Sequence, residues 1–115
     1  MPYPKLNRDL LDVKKLDSRK NKVYIEKDHV PVDHKPEHLS ERGEKLIEKT
    51  AEHIRLARQK GGSVMLTFGA HTIKNGMSPT LIALMEEGWV DHLSTNGAGI
   101  IHDWEFAFQG KSSED

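Results

Sequence analysis

The sequence predicts an α/β fold in which a parallel sheet is flanked by helices, and it predicts that this chain holds only part of that fold. Beyond residue 35, helical and strand patterns alternate in the order helix, strand, helix, strand, helix, which is typical of a parallel sheet with right-handed crossovers. Only two strands are evident, and two strands do not make a stable sheet with both faces covered. We therefore interpret residues 1–35 as a polar N-terminal arm and residues 36–115 as the N-terminal portion of an α/β domain.

The composition limits the classes of function. The chain has 115 residues, of which 36% are hydrophobic and 30% charged, and its formal net charge is −1. It is therefore one small domain at most, without the basic surface of a nucleic-acid-binding protein. The absence of cysteine excludes disulfides and thiolate chemistry. No run approaches the ~18 apolar residues of a membrane span, and the N-terminus lacks the apolar core of a signal peptide. We expect no nucleic-acid or membrane partner and, by default, a cytoplasmic location.

The arm is charged and carries few apolar residues. Residues 6–16 could form one or two short amphipathic turns, while residues 23–25 and 30–32 look extended, with Pro31 keeping the second piece at an edge. Whether the arm orders by itself or only by packing on a neighbour stays open.

Residues 37–60 carry the clearest helical pattern. Pro36 stands at the start, where a missing N–H costs little, and Gly61 and Gly62 end the pattern. Apolar and small residues recur on one face at helical spacing, namely Leu39, Gly43, Leu46, Ile47, Thr50, Ile54 and Ala57. The spacing predicts one amphipathic helix over 37–60.

The following segments alternate between strand and helix. The apolar run in residues 63–68 is typical of a parallel strand buried on both faces, and residues 69–77 read as a loop. Ser78 is a good N-cap with Pro79 at the first helical position, which predicts a short, mostly buried helix over 80–87. A strand over 89–95 and a helix over 100–109 follow. Residues 111–115 give no sign of a third strand, so we expect the fold to be completed by further sequence, another polypeptide or an oligomeric partner.

The turn from Thr95 to Gly99 is the most informative feature for function. Its residues Thr95, Asn96, Gly97, Ala98 and Gly99 join a strand to a helix, and this geometry places backbone N–H groups and a positive helix end at the carboxyl edge of a sheet. The glycines let the backbone approach a phosphate. Gly97 and Gly99 match two glycines of the dinucleotide fingerprint, and His102 takes the third place. A plain strand-to-helix turn is the alternative interpretation.

A second loop follows the first strand and should lie at the same edge. Ligands of open α/β sheets bind where the carboxyl ends of neighbouring strands meet, so the residues Ala70, His71 and Thr72 are candidates to line the same site. Lys74 could neutralise a phosphate, although a solvated loop lysine is the alternative.

His102 and Asp103 begin the last helix and are candidates for proton transfer beside a cofactor. The alternative is an exposed pair in which Asp103 is favoured by the helix dipole. The chain has seven histidines, and His71 and His102 could converge with Asp103 as metal ligands. No helical His pair with metal-ligand spacing is present, so we predict no functional metal.

Residues 62–109 resemble deoxyhypusine synthase. The match comprises Gly76, the helix that contains Thr80, the strand of the form V-D-x-L-x-T at residues 90–95, the small-residue turn behind it and the His-Asp pair. The resemblance implies a Rossmann-like, NAD-binding domain, usually in a homotetramer. It also implies a transferase that moves an aminobutyl group from spermidine to a lysine of the hypusine-containing translation factor.

The resemblance also implies roles for residues. Ala70, His71 and Thr72 fall in one NAD-contacting loop of the family, and residues 95–98 fall in its NAD-binding turn. The sequence departs from the family at Ala70 and His71, where a Ser-Asn pair is common, and at Ile101, where an acidic residue is common. The family's nucleophilic lysine has no counterpart in this chain.

Two alternatives stay open beside this transferase. One is an enzyme similar to homospermidine synthase, which uses a small amine as acceptor. The other is a non-catalytic subunit that serves assembly, because an incomplete sheet leaves apolar faces exposed. The expected partners are spermidine or a related polyamine, an acceptor protein or small amine, and an oligomer in which a second polypeptide could complete the fold.

Overall fold

The computed structural model describes residues 3–115, which form two small sheets and five helices. The four strands are β1 (Asn21–Tyr24), β2 (Met65–Phe68), β3 (His92–Thr95) and β4 (Lys111–Glu114). The helices are α1 (Ile25–Asp28), α2 (Glu41–Gln59), α3 (Ala70–Lys74), α4 (Ser78–Glu86) and α5 (Gly97–Gln109), and two 3-10 turns lie at Arg8–Leu10 and Leu16–Ser18. The chain is thus a small α/β fold. Within residues 3–115, none of the helices is both long enough and apolar enough to cross a membrane.

The predicted parallel pair is present as β2 and β3. The two strands pair in parallel from Met65 with His92 to Phe68 with Thr95. Within the described residues this sheet has two strands, so a Rossmann sheet is not established. The prediction that residues 63–68 are buried on both faces is wrong. Met65 is 64% exposed, and the strand alternates between exposed and half-buried residues because helices cover one face only.

Residues 111–115 do form a strand, which the sequence analysis did not predict. β4 pairs antiparallel with β1 in a second sheet, with Val23 opposite Ser112. The strand has no apolar pattern, because its sequence is Lys-Ser-Ser-Glu. The strand is instead stabilised by backbone pairing with β1 of the arm and by side-chain hydrogen bonds to α5.

The helix α2 begins at Glu41 rather than at residue 37. The Ser40 hydroxyl accepts a hydrogen bond from the Gly43 N–H at 3.1 Å, and this cap fixes the first turn four residues after Pro36. The predicted apolar face is largely uncovered, with Leu46 64% and Ile47 56% exposed. Ile54 and Ala57, farther along the same face, are half-buried, and Ile54 lines a cavity with Leu84 of α4. Amphipathic spacing therefore identified the helix correctly, but only the C-terminal half of its apolar face is partly covered.

An ion pair ties the end of α2 to the sheet. Arg58 Nη1 donates to both carboxylate oxygens of Asp91 at 2.6 and 2.5 Å, and the Val64 N–H donates to Asp91 Oδ2 at 2.8 Å. The Val64 N–H and then the Arg58 guanidinium hold the pKa of Asp91 below its ordinary value. These bonds hold the first residues of β2 and β3 side by side.

Two boundaries and the burial of one helix near the predicted site differ from the expectation. The segment 69–77, predicted to be a loop, contains the one-turn helix α3. Burial of Ile73, which is 6% exposed, stabilises this turn, whereas the flanking glycines had indicated a loop. Ser78 lies inside α4 rather than capping it, since the Leu81 N–H already bonds the Met77 carbonyl at 3.1 Å. The helix α4 is only partly buried, because Ile82 is 54% exposed.

The core is small and sits where α3, α4 and α5 meet the β2–β3 sheet. Ile73, Leu81 and Phe106 are buried together, and the partly buried residues packed against them are Val23, Ile25, Leu66, Phe68 and Leu93. Two of these come from the arm, so residues 23–25 pack on α5 as part of the same core.

The arm also crosses the turn between α3 and α4. The Val30 N–H donates to the Gly76 carbonyl at 3.0 Å. Gly76 has a positive φ of 82°, and a Cβ there would overlap the Asp28 carbonyl. Glycine is therefore required both for the turn and for the close approach of the arm.

Candidate functional site

The two predicted loops meet at the carboxyl edge of the β2–β3 sheet. Phe68 and Thr95 pair at the ends of their strands, and a Cβ on Gly69 would lie 3.9 Å from the Asn96 amide nitrogen. The first residues of α3 and α5 are therefore neighbours. Ala70 and Thr72 are half-buried there, and His71 is exposed.

The N-terminus of α5 is the most open part of this edge. α5 begins at Gly97 rather than at residue 100, because Asn96 Oδ1 accepts the Gly99 N–H at 2.9 Å and caps the helix. Asn96, Gly97 and Ala98 are exposed, and a Cβ on Gly97 would meet nothing within 4 Å. The first N–H groups of a helix have no intrahelical partner. Asn96 takes that of Gly99, so those of Gly97 and Ala98 are free to bind an anion.

Gly99 lets α5 lie close on β3. It is buried, and a Cβ there would overlap the Thr95 hydroxyl oxygen and lie 3.2 Å from Thr95 Cγ2. The Thr95 hydroxyl is itself buried and has no hydrogen-bond partner among residues 3–115. A buried hydroxyl without a partner is costly in a packed site. The hydroxyl lies against Gly99 in the first turn of α5.

An apolar cavity of about 230 Å³ adjoins Thr95 and Gly99 between α4 and α5. Its walls are mainly apolar side chains from the sheet and the two helices. Its polar lining consists of Ser78, Thr95 and Asp103. A cavity of this kind with a few convergent polar groups suits one ring of a larger ligand.

His102 and Asp103 do not act as a pair in this structure. His102 Nδ1 lies 2.6 Å from the Ser112 hydroxyl and 3.7 Å from Glu105 Oε2. Asp103 lies instead beside the apolar cavity. Neighbours in a helix point about 100° apart, which is why adjacency in sequence did not bring the two side chains to one point. Each remains a site candidate on its own.

The sequence analysis missed a polar network around His102. Arg19 Nη1 donates to Glu105 Oε1 at 2.5 Å, and the Ser112 hydroxyl donates to Glu105 Oε2 at 2.5 Å. Arg19 Nη2 also donates to Asn21 Oδ1 at 2.7 Å. Ser112 is fully buried and Glu105 is 9% exposed, so these groups make their contacts away from water.

The charge state of Glu105 follows from these contacts. Burial by itself raises the pKa of this carboxyl group, but hydrogen bonds from Arg19 and Ser112, the Arg19 charge and the Ser113 N–H together lower it below the ordinary value of 4.5. Glu105 is therefore ionised and paired. The signal available in the sequence was a glutamate placed between two aromatic residues, Trp104 and Phe106, in α5.

The structure brings no metal cluster to this edge. His71, His102 and Asp103 do not converge, and no group of three or more His, Asp or Glu side chains in residues 3–115 is placed to hold a metal ion.

Comparison with known proteins identifies a relative in amino-acid metabolism. The chain is 37% identical over 71 residues to the bifunctional arginine dihydrolase/ornithine cyclodeaminase ArgZ of Synechocystis sp.. The similarity covers 62% of this chain and 10% of that protein, so the chain spans about a tenth of its length. No protein-family model matches the chain, and no solved structure matches it significantly.

This relative contradicts the family predicted from residues 62–109. It is an enzyme named for arginine and ornithine, so the assignment to deoxyhypusine synthase is wrong. The predictions that depended on this family are therefore also wrong: aminobutyl transfer from spermidine, a role in hypusine biosynthesis, and the alternative of an enzyme similar to homospermidine synthase. The matched residues form a strand, a glycine turn and a helix end, which many anion-binding α/β units need. They describe a local geometry and do not select one reaction. Ala70, His71 and Ile101 are the positions where the sequence already departed from that family.

Proposed function

We propose that this chain is part of an enzyme that binds NAD at the carboxyl edge of β2 and β3 and acts on ornithine, arginine or a similar basic amino acid. The observation that carries the NAD proposal is the open α5 N-terminus beside the start of α3. The similarity to ArgZ supports the substrate class. It is also the reason to expect an enzyme.

The residues at the edge fit a dinucleotide. The free N–H groups of Gly97 and Ala98 would hold a phosphate, since they combine backbone donors with the positive end of the helix dipole. The unpartnered Thr95 hydroxyl would donate a further hydrogen bond. The adjoining cavity of about 230 Å³ would take one ring, with Asp103 and Ser78 as its polar contacts.

NAD, when bound, supplies reversible hydride removal, which can make a carbon–nitrogen bond of an amino acid reactive. The chain's own part in the reaction is then to bind and orient. The edge residues hold the phosphates, and the half-buried Ala70 and Thr72 wall the site from the α3 side.

A non-catalytic assembly role is the second candidate, because large apolar side chains are exposed on two helices. Leu46 and Ile47 of α2 are more than half exposed, and Trp104 and Phe108 of α5 stack with ring centroids 4.9 Å apart while 57% and 65% exposed. Native mass spectrometry separates the two roles. Defined oligomers without NAD-sized mass increments would favour assembly.

The test of the NAD site is a titration of the ¹⁵N-labelled chain with NAD, followed in the amide spectrum. We expect the Gly97 and Ala98 resonances to shift, and the variant Gly97→Val to bind at least about tenfold more weakly because its side chain fills the space of the phosphate. A Cβ at Gly97 meets nothing within 4 Å, so the variant should fold normally. Ala107→Val places the same side chain at an exposed position near the other end of α5 and should bind NAD normally. Unshifted wild-type resonances at millimolar NAD, or equal affinity in Gly97→Val, would refute the site.

A further inference from the structure

We infer that His102 Nε2 is the proton acceptor for substrate bound at this edge, and that Ser112, Glu105 and Arg19 are positioning residues that hold the imidazole ring for that task. The inference rests on the proposed function, and it assigns roles to three residues outside the predicted site. It is carried by the direction in which each hydrogen bond of the buried network runs.

The network has one consistent donor order. Arg19 can only donate, so Glu105 Oε1 accepts from it. The Ser112 hydroxyl has a single hydrogen, and it is directed to Glu105 Oε2 at 2.5 Å. Ser112 Oγ also lies 2.6 Å from His102 Nδ1, and because its hydrogen is already directed to Glu105, its lone pairs can only accept. His102 Nδ1 must therefore carry the proton.

The alternative order would need a protonated Glu105 that donates to Ser112. Independently of Ser112, Glu105 accepts hydrogen bonds from Arg19 and the Ser113 N–H, and Arg19 supplies a full positive charge at 2.5 Å. These three interactions favour the carboxylate. A carboxylate cannot donate, so the alternative order fails.

This arrangement leaves Nε2 as the basic nitrogen. The His102 contacts with Ser112 and Glu105 are both made through Nδ1, and 20% of the side chain is exposed. A histidine whose Nδ1–H is held by an acceptor presents Nε2 as a base of fixed direction, as in hydrolytic triads. Here a buried serine stands between the histidine and the carboxylate.

The ring of His102 contacts β4 at Ser112, and His102 does not line the cavity beside Thr95 and Gly99. It follows Gly97 by five residues, which is about 8 Å along the helix axis. That distance is shorter than a dinucleotide, so a ligand with a phosphate at Gly97 could bring a substrate to Nε2. Asp103, the next residue of α5, lines the cavity, so an anionic side chain lies on a different face of the helix from His102.

The tautomer can be measured without NAD or activity. In the chain labelled with ¹⁵N-histidine, long-range ¹H–¹⁵N spectra at a pH where the ring is neutral should show His102 as the Nδ1–H form. Ser112→Ala should shift it toward the Nε2–H form. Ser113→Ala is the matched control, because the Ser113 hydroxyl has no partner among residues 3–115; it should leave the tautomer unchanged. An Nε2–H form in the wild type, or no response to Ser112→Ala, would overturn the positioning role.

A second measurement tests the proton acceptor itself. Addition of NAD and L-ornithine together should shift the His102 Nε2 resonance in the wild type, and Gly97→Val should abolish that shift while keeping the Nδ1–H tautomer. An unmoved Nε2 resonance in protein shown to bind NAD would overturn the role as proton acceptor. A wild-type protein that shows the Nδ1–H tautomer but does not bind NAD would instead overturn the proposed function, so the two failures are distinguishable.

Discussion

The substitution Gly99→Ala tests the close packing of α5 on β3. Gly99 is buried against Thr95, and the new Cβ would overlap the threonine hydroxyl oxygen while lying 3.2 Å from Cγ2 and 3.3 Å from Cβ. The threonine lies at the end of a paired strand, so its backbone has little freedom to retreat. Either the threonine side chain or the start of α5 must therefore move.

The expected cost follows from two opposing terms. Overpacking a buried contact costs about 1–3 kcal/mol, and replacing a helical glycine by alanine returns about 0.5–1 kcal/mol. Gly99→Ala should therefore lower the free energy of unfolding by about 1–2 kcal/mol. Thr95→Ala removes the overlapping oxygen and Cγ2, and in that background the same substitution should be neutral or stabilising. The coupling energy between the two sites should be about 1–3 kcal/mol.

Urea unfolding of the wild type, both single variants and the double variant measures this cycle directly. The amide spectrum of each variant checks that α5 still starts at Gly97. Additive effects, or a Gly99→Ala variant as stable as the wild type, would show that α5 does not approach β3 as closely as described.

Two further predictions concern the arm. The folded-state pKa of Glu105 lies below 4.5. Its contribution to stability is therefore fully present above about pH 4.5 and is lost as the pH falls through the lower folded-state value. Urea unfolding measured between pH 3 and 6 should show this loss in the wild type and a flatter stability profile in Glu105→Gln. A Cβ on Gly76 would overlap the Asp28 carbonyl and lie 3.0 Å from His29 Cα, whereas Gly61 has a similar φ of 71° with nothing within 4 Å. Gly76→Ala should therefore speed hydrogen exchange in residues 25–30 and cost more than the about 1 kcal/mol expected of Gly61→Ala; equal costs and unchanged exchange would contradict the arm contact.

The sequence predicted the parallel pair and the edge where its loops meet, because hydrophobic runs and glycine positions act locally. It misplaced the first residues of α2 and α5 by four and three residues, although it placed their last residues to within one. Ser40 and Asn96 decide those first residues through side-chain caps, and such caps compete with proline and glycine signals in ways that spacing does not reveal.

The network around Glu105 was out of reach for a different reason. It joins Arg19 to Glu105 across 86 residues, and it includes Ser112 of β4, a strand that pairs with the distant β1. Contacts of this separation leave no periodic pattern in a single sequence. His102 and Asp103 illustrate the opposite case. They are adjacent in sequence and were predicted to share a site, but successive residues of a helix point in different directions, so their side chains contact different neighbours.

The arm and the candidate base are physically coupled. Arg19 belongs to the arm, yet it neutralises Glu105, and Glu105 sets the direction of the Ser112 hydrogen that in turn fixes His102. Removing Arg19 would leave a buried carboxylate without its cation, which favours protonation of Glu105. A protonated Glu105 can donate to Ser112, and the whole hydrogen-bond order can then reverse, leaving the proton on Nε2. The arm therefore does more than cover α5, because its order determines which nitrogen of His102 is the base.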